Sequence, residues 1–155
     1  MEIRPVAFAD LPALVELEGA AAVTALPKAY PTLSRFPLAK QLQLRTEEFH
    51  DPSVIFTLAE DEFGVCGWIE YTEDQLWQLV VAARLAGSGL RDRLYAEGLR
   101  HWRLGEARRV WFWVYSDDLA TRADFEARGW EATGRRRAAS VVPHPTISEY
   151  LLALG

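Results

Sequence analysis

The sequence is poor in the residues that build crosslinks and metal cages. It has one cysteine, Cys66, in 155 residues, which excludes an internal disulfide and any cysteine-based metal site. The three histidines, His50, His101 and His144, lie far apart with no helical or hairpin ligand spacing, so no metal is expected. No run approaches the ~18 apolar residues of a membrane span. The opening Met1-Glu2-Ile3-Arg4-Pro5 lacks the charged-then-apolar build of a secretory signal, and the expectation is a cytoplasmic protein with no membrane partner. Basic charge is not in excess: 17 Lys and Arg stand against 22 Asp and Glu, for a net charge of −5. That argues against a nucleic-acid or anionic-membrane surface and leaves room for a cationic small molecule or basic peptide. Internal repeats, low-complexity segments and linkers are absent.

What remains is a globular composition. Half of the residues are hydrophobic, a quarter are charged and six are tryptophan, which sets disorder aside. One full core fits this length and two ordinary domains do not, so residues 1–155 are read as a single domain.

Hydrophobic periodicity assigns the elements. Residues 3–6 are a short strand, and Asp10 is placed to cap a helix to about residue 22 with Leu11, Leu14, Val15, Leu17 and Ala21 on its apolar face. Pro27, Pro31 and Pro37 make 26–37 an ordered loop. A second helix over 38–49 stops before Asp51-Pro52. Strands over 54–60 and 65–71 are joined by the turn Asp61-Glu62-Phe63-Gly64. Cys66 reads there as a small buried hydrophobe, not a nucleophile. A turn over 72–75 leads to a strand over 76–81, then to a helix that starts at about 87–89 and carries Leu90, Leu94, Tyr95, Gly98, Leu99 and Trp102 at helical spacing. Gly98 permits close approach to a sheet, and Gly105 ends the helix. Residues 110–115, Val-Trp-Phe-Trp-Val-Tyr, are apolar on both faces, as in a central strand covered by helices on both sides. A short helix over 119–128 and a closing antiparallel hairpin, 131–142 with 146–154, complete the order β α α β β β α β α β β. Arg135, Arg136 and Arg137 read as a solvated edge.

The rest of the chain is organised around the junction between the 76–81 strand and the helix after it. The first turn of a helix has unpaired N–H groups and partial positive charge, and a glycine-cleared approach makes it an anion site. The anion expected is a phosphate. A dinucleotide fingerprint would need a third glycine at Asp92, and a P-loop would need Gly-Lys followed by Ser or Thr. Neither is present.

What the junction does carry is Arg-x-x-Gly-x-Gly, Arg84 to Gly89. This resembles the acetyl-CoA pyrophosphate loop of the GNAT N-acetyltransferase superfamily, Gln/Arg-x-x-Gly-x-Gly/Ala. The run from Asp118 to Trp130, with Phe125-Glu126-Ala127-Arg128-Gly129 inside it, resembles the second GNAT signature, Asn-x-x-Ala…Tyr-Glu-Lys-Leu-Gly-Phe, in the right order after the loop. The opening, Ile3-Arg4-Pro5-Val6 through Asp10-Leu11-Pro12-Ala13-Leu14, also looks like that of many GNAT proteins. The resemblance covers residues 3–154. It implies an α+β, three-layer fold: a mixed, mostly antiparallel sheet of about seven strands flanked by about four helices and splayed between the fourth and fifth strands.

The resemblance also implies a chemistry. Acetyl-CoA would be the acyl donor, with no metal, and a primary amine of a small molecule or peptide the acceptor. Carried over by position, cofactor binding would fall to Trp77, Gln78 and Leu79 on the strand, to Arg84, Leu85, Ala86, Gly87, Ser88, Gly89 and Leu90 on the loop, and to Asp118 and Phe125 at the second motif. Arg91 is a second candidate cation for the phosphates. A lysine-type amine is only about one part in two thousand neutral at pH 7, whereas an α-amine is roughly a tenth neutral. A base therefore matters more for the first. Glu73 falls at the family's usual carboxylate position, with Asp74 and Glu70 as neighbours. Phe125 stands where the family commonly has a tyrosine acid, so Tyr115 or Tyr95 would have to substitute, or no acid is needed, because a thiol of pKa near 8.5 leaves tolerably as its anion. Asp118 for Asn and Val81 for Pro are milder departures. The competing reading is a CoA-binding or small-ligand-binding module that has kept the fold and lost the chemistry. A tryptophan-rich interaction domain without a cofactor is a third. A homodimer is compatible with all of them.

Overall fold

β-branched and aromatic residues concentrate in seven segments, and in the computed structural model, which describes residues 1–155, all seven join one sheet. The strands are β1 (Glu2–Pro5), β2 (Ile55–Asp61), β3 (Gly64–Tyr71), β4 (Gln75–Val81), β5 (Arg109–Tyr115), β6 (Glu131–Ala138) and β7 (Thr146–Ala153). The helices are α1 (Leu11–Ala25), α2 (Leu38–Phe49), α3 (Leu90–Leu104) and α4 (Leu119–Ala127). The sheet order is β1-β2-β3-β4-β5-β7-β6. Every neighbouring pair is antiparallel except β4 and β5. The mixed, mostly antiparallel seven-stranded sheet with four helices is the expected architecture.

The two faces of the sheet are filled by different helices. Leu90, Leu94, Tyr95 and Trp102 of α3 and Phe125 of α4 pack with Ile69, Leu79, Phe112 and Tyr150 of the sheet in the larger core. Leu11 and Leu14 of α1 pack with Phe56, Leu58, Trp68 and Val80 on the other face. Trp102 is fully buried and its indole N–H donates to the Thr72 carbonyl at 2.8 Å, so it ties α3 to the β3–β4 turn. Gly98 acts as its spacing predicts. A Cβ there would lie 3.1 Å from the Trp102 ring and 3.2 Å from Ile69.

Three local expectations are corrected. Asp10 does not cap α1 with its side chain. A 3₁₀ turn over Phe8–Asp10 precedes the helix, and the Asp10 carboxylate accepts from the Ala7 N–H at 2.7 Å and from Arg4 at 2.9 and 3.0 Å. The helix after β4 begins at Leu90 rather than within 87–89, because a 3₁₀ turn at Ala83–Leu85 and two glycines of positive φ lie between. β5 is not covered on both faces. Val110, Phe112 and Val114 are buried, but Trp111, Trp113 and Tyr115 are half-buried and turn toward an open cleft. The arginine-bearing strand β6 is exposed throughout, at the sheet's edge as expected.

Candidate active site

β4 and β5 are bonded only at Gln75↔Trp111 and Leu76↔Phe112. From there β5 follows β7 along its whole length, Arg109↔Ala153 through Tyr115↔Ile147. The sheet therefore opens after Leu76, and the opening is a cleft of about 1130 Å³. β4 forms one wall, and Trp111, Trp113 and Tyr115 of β5 form the other. Residues of α1 and α2 close one end. A second cavity, of about 430 Å³, lies over the loop after β4 and shares Val81, Ala82, Ala83, Ala86 and Arg91 with the cleft, so the two adjoin.

The loop leaves a defined set of donors. The amides of Leu85, Ala86 and Ser88 donate to the carbonyls of Ala82, Ala83 and Leu85 at 2.9 to 3.1 Å. The Leu90 amide donates to Ser88 Oγ at 3.3 Å. The amides of Gly87, Gly89, Arg91 and Asp92 have no partner. Gly87 and Gly89 have φ of +77° and +86°, and a Cβ at either would meet nothing within 4 Å. Glycine is thus required there by the backbone turn, and the space above it is open. Four unpaired N–H groups and the positive end of the fifteen-residue helix α3 converge on that space.

The two arginines of the loop divide their work. Arg84 is drawn away, donating twice to Asp61 at 2.7 and 2.9 Å and lying over the Phe63 ring. The Arg84 guanidinium holds the Asp61 carboxyl below its usual range. Arg91 lines both cavities, donates to Asp124 at 2.8 Å and reaches the Leu79 carbonyl at 3.4 Å.

At the α1–α2 end the cleft is charged. Glu18 accepts from Gln41 Nε2 at 2.8 Å and from Arg45 Nε and Nη2 at 2.9 and 3.1 Å. Arg45 Nη1 donates to Glu48 at 2.6 Å. Glu70 of β3 lies behind them, fully buried, 3.5 Å from Arg45, with neither oxygen hydrogen-bonded. Burial pushes its pKa well above the carboxylate range. Arg45 opposes this, while a hydrogen bond that the protonated Glu70 donates to Glu48, and then the charges of Glu48 and Glu18, add to it. Tyr115 lines the cleft close by, and burial, with Tyr30 and Glu18 acting in the same direction, raises its hydroxyl far enough to keep it a neutral donor.

No family model matches the chain. Over 90 residues it is 33% identical to a mycothiol acetyltransferase of Corynebacterium efficiens, a match covering 56% of this chain and 30% of that protein. The chain thus matches less than a third of that relative's length. Among solved structures, the ribosomal-protein-alanine N-acetyltransferase of Brucella melitensis superposes with a TM-score of 0.71 at 21% identity, over 99% of this chain and 100% of the other. The Salmonella typhimurium protein yncA, solved with its cofactor acetyl-CoA, gives a TM-score of 0.69 at 16% identity over 100% and 94%. The chain has the GNAT N-acetyltransferase fold.

Within the GNAT fold the residues named from sequence fall into three groups. Trp77, Gln78, Leu79, Ala86, Tyr115 and Asp118 line the main cleft, and Leu85, Gly87 and Gly89 line the loop cavity. Asp118 also caps α4, accepting from the Thr121 amide and hydroxyl at 3.1 and 2.6 Å. A second group is turned elsewhere: Arg84 to Asp61, Ser88 to the Leu90 amide, and the Leu90 side chain into the core. Phe125 is fully buried among Tyr95, Phe112 and Trp130 and does not line the cleft, and the Tyr95 hydroxyl accepts from Trp130 Nε1 at 2.9 Å in that same cluster. The third group is the carboxylates. Glu73 and Asp74 stand exposed in the β3–β4 turn outside the cleft, while Glu70 joins the buried cluster.

Sequence reading missed Glu18, Gln41, Arg45 and Glu48. One signal was available. Glu18 sits on the buried stripe Leu11, Leu14, Val15, Glu18, Ala22 of α1, and a carboxylate on an apolar helix face needs a partner.

Proposed function

We propose that the protein is an acetyl-CoA-dependent N-acetyltransferase that modifies a primary amine of a small molecule or peptide. The observation that carries this reading is the splay after Leu76, which adjoins the cavity lined by Gly87, Gly89, Arg91 and Asp92 with their four unpaired amides. The reading is supported by the fold shared with yncA, whose structure contains acetyl-CoA.

Those four amides, with the Arg91 guanidinium beside them, would hold the pyrophosphate, and the exposed edge of Trp77 to Leu79 would pair with the pantetheine arm. Acetyl-CoA, when bound, supplies the acetyl group as a thioester. The acceptor nitrogen enters from the α1–α2 end. Its ammonium form loses one proton to Glu48, the cleft-lining carboxylate that takes a single bond from Arg45, and the free amine attacks the thioester carbon. The carbon–sulfur bond breaks, and the second nitrogen proton leaves with the CoA thiol, for which the Tyr115 hydroxyl on the cleft wall would be the donor. One proton is released for each amide bond formed.

The test is acetyl-CoA binding followed by thiol release against a panel of amines. Binding with turnover on at least one amine supports the reading. No binding overturns it.

A further inference from the structure

The α1–α2 end of the cleft holds more carboxyl groups than cations. Glu18, Glu48 and Glu70 converge on one guanidinium, Arg45. Glu18 is saturated by Gln41 and Arg45, and Glu48 takes a single bond from Arg45 and lines the cleft. Glu70, fully buried, accepts no hydrogen bond at either oxygen, and only in its protonated form does it gain a partner, Glu48. Orphaned buried polar groups are rare and mark sites held for something other than stability. The groups around Glu70 come from every neighbouring element: Glu18 from α1, Arg45 and Glu48 from α2, Phe56 of β2 and Gln78 of β4 as its register partners, and Trp68 on its own strand. The Trp68 indole N–H is orphaned as well.

The same space is also lined by aromatic residues, Trp77 from the β4 wall and Trp111, Trp113 and Tyr115 from the β5 wall. Arg137 lies over the Trp113 ring at 4.2 Å, pairs with no carboxylate, and also borders the cleft.

Resting on the acetyltransferase reading above, we propose that Glu48, backed by Glu70, is the subsite for a positively charged acceptor, an amine with a single cationic charge on an apolar or aromatic body. Three carboxyl groups, Glu18, Glu48 and Glu70, face the single guanidinium of Arg45, and burial favours the neutral form of Glu70, so the cluster has room for one further cation. The indole and phenol walls suit the apolar body and the face of a cation. A second ammonium further along the cleft would meet Arg137 and gain no partner.

The experiment compares 2-phenylethylamine, 2-phenylethanol and 1,4-diaminobutane by calorimetric titration, with acetyl-CoA binding measured separately. The amine binds at least about tenfold more tightly than the alcohol, the scale of one charge-assisted hydrogen bond, and more tightly than the diamine. Glu48→Gln removes the preference. A cation beside Glu48 also weakens the hold of Glu70 on its proton, so titrations in buffers of different ionisation enthalpy report proton release with the amine, none with the alcohol, and none with the amine in Glu70→Gln. Equal affinity for amine and alcohol overturns the proposal, as does tighter binding of the diamine, and neither result depends on a variant folding. If acetyl-CoA binds and the acceptor end ignores charge, this proposal alone fails. If acetyl-CoA does not bind, the acetyltransferase reading fails.

Discussion

Glu70 and Arg45 stand 3.5 Å apart in the interior, yet neither Glu70 oxygen completes a hydrogen bond. Arg45 is already shared between Glu18 and Glu48. An unsatisfied buried polar group costs about 1–3 kcal/mol, so the ionised form of Glu70 is a point where the fold gives up stability.

This sets a pH dependence. The folded pKa of Glu70 is raised by burial, whereas in the unfolded chain it is about 4.3. Between those values the folded state holds the extra proton, so its stability falls as pH rises, by up to about 1.4 kcal/mol per pH unit. Glu70→Gln removes this slope. Denaturant titrations from pH 4 to 8 should show wild type and variant closest at pH 4, with the variant gaining toward pH 8. Parallel curves would contradict the assignment.

Gly89 has φ of +86°, and nothing lies within 4 Å of where a Cβ would sit. Gly89→Ala therefore costs backbone strain of about 1–2 kcal/mol rather than a clash. The same change shifts the unpaired amides of the loop, so acetyl-CoA affinity falls as well. A thermal melt together with a binding titration checks both, and unchanged affinity would separate the loop from the cofactor.

Arg84 and Arg91 are expected to differ although both flank the loop. Arg91 lines both cavities, and Arg91→Ala should weaken acetyl-CoA binding roughly tenfold, the scale of one charge-assisted hydrogen bond. Arg84 is paired with Asp61, and Arg84→Ala should change that affinity less than about twofold. The reverse ranking would place the phosphates elsewhere.

Tyr115 is the tyrosine of the cleft wall with a hydroxyl held neutral. Tyr115→Phe should lower kcat by roughly a hundredfold if its proton reaches the leaving thiol, with the KM for acetyl-CoA little changed. Glu73→Gln, outside the cleft, should leave kcat unchanged.

How far the sequence could be read divides by physical scale. The strands, helices and Arg84–Gly89 loop were visible because alternation, helical spacing and glycine are local signals. The close packing at Gly98 was legible for the same reason. The orientation of Arg84 was not, since its partner Asp61 is brought in by the β2–β3 hairpin. The buried cluster joins α1, α2 and β3, and no local pattern brings those carboxyls together. Phe125 shows the opposite error, for a motif position suggested the cofactor and packing with Phe112 and Trp130 placed the ring in the core.

Backbone amide spectra of the protein titrated with acetyl-CoA test the central claim most directly. The account predicts binding of one equivalent, with the largest changes at the amides of Gly87, Gly89, Arg91 and Asp92 and smaller ones along Trp77 to Leu79. Saturation that leaves those four amides unmoved, or no binding at all, would contradict it.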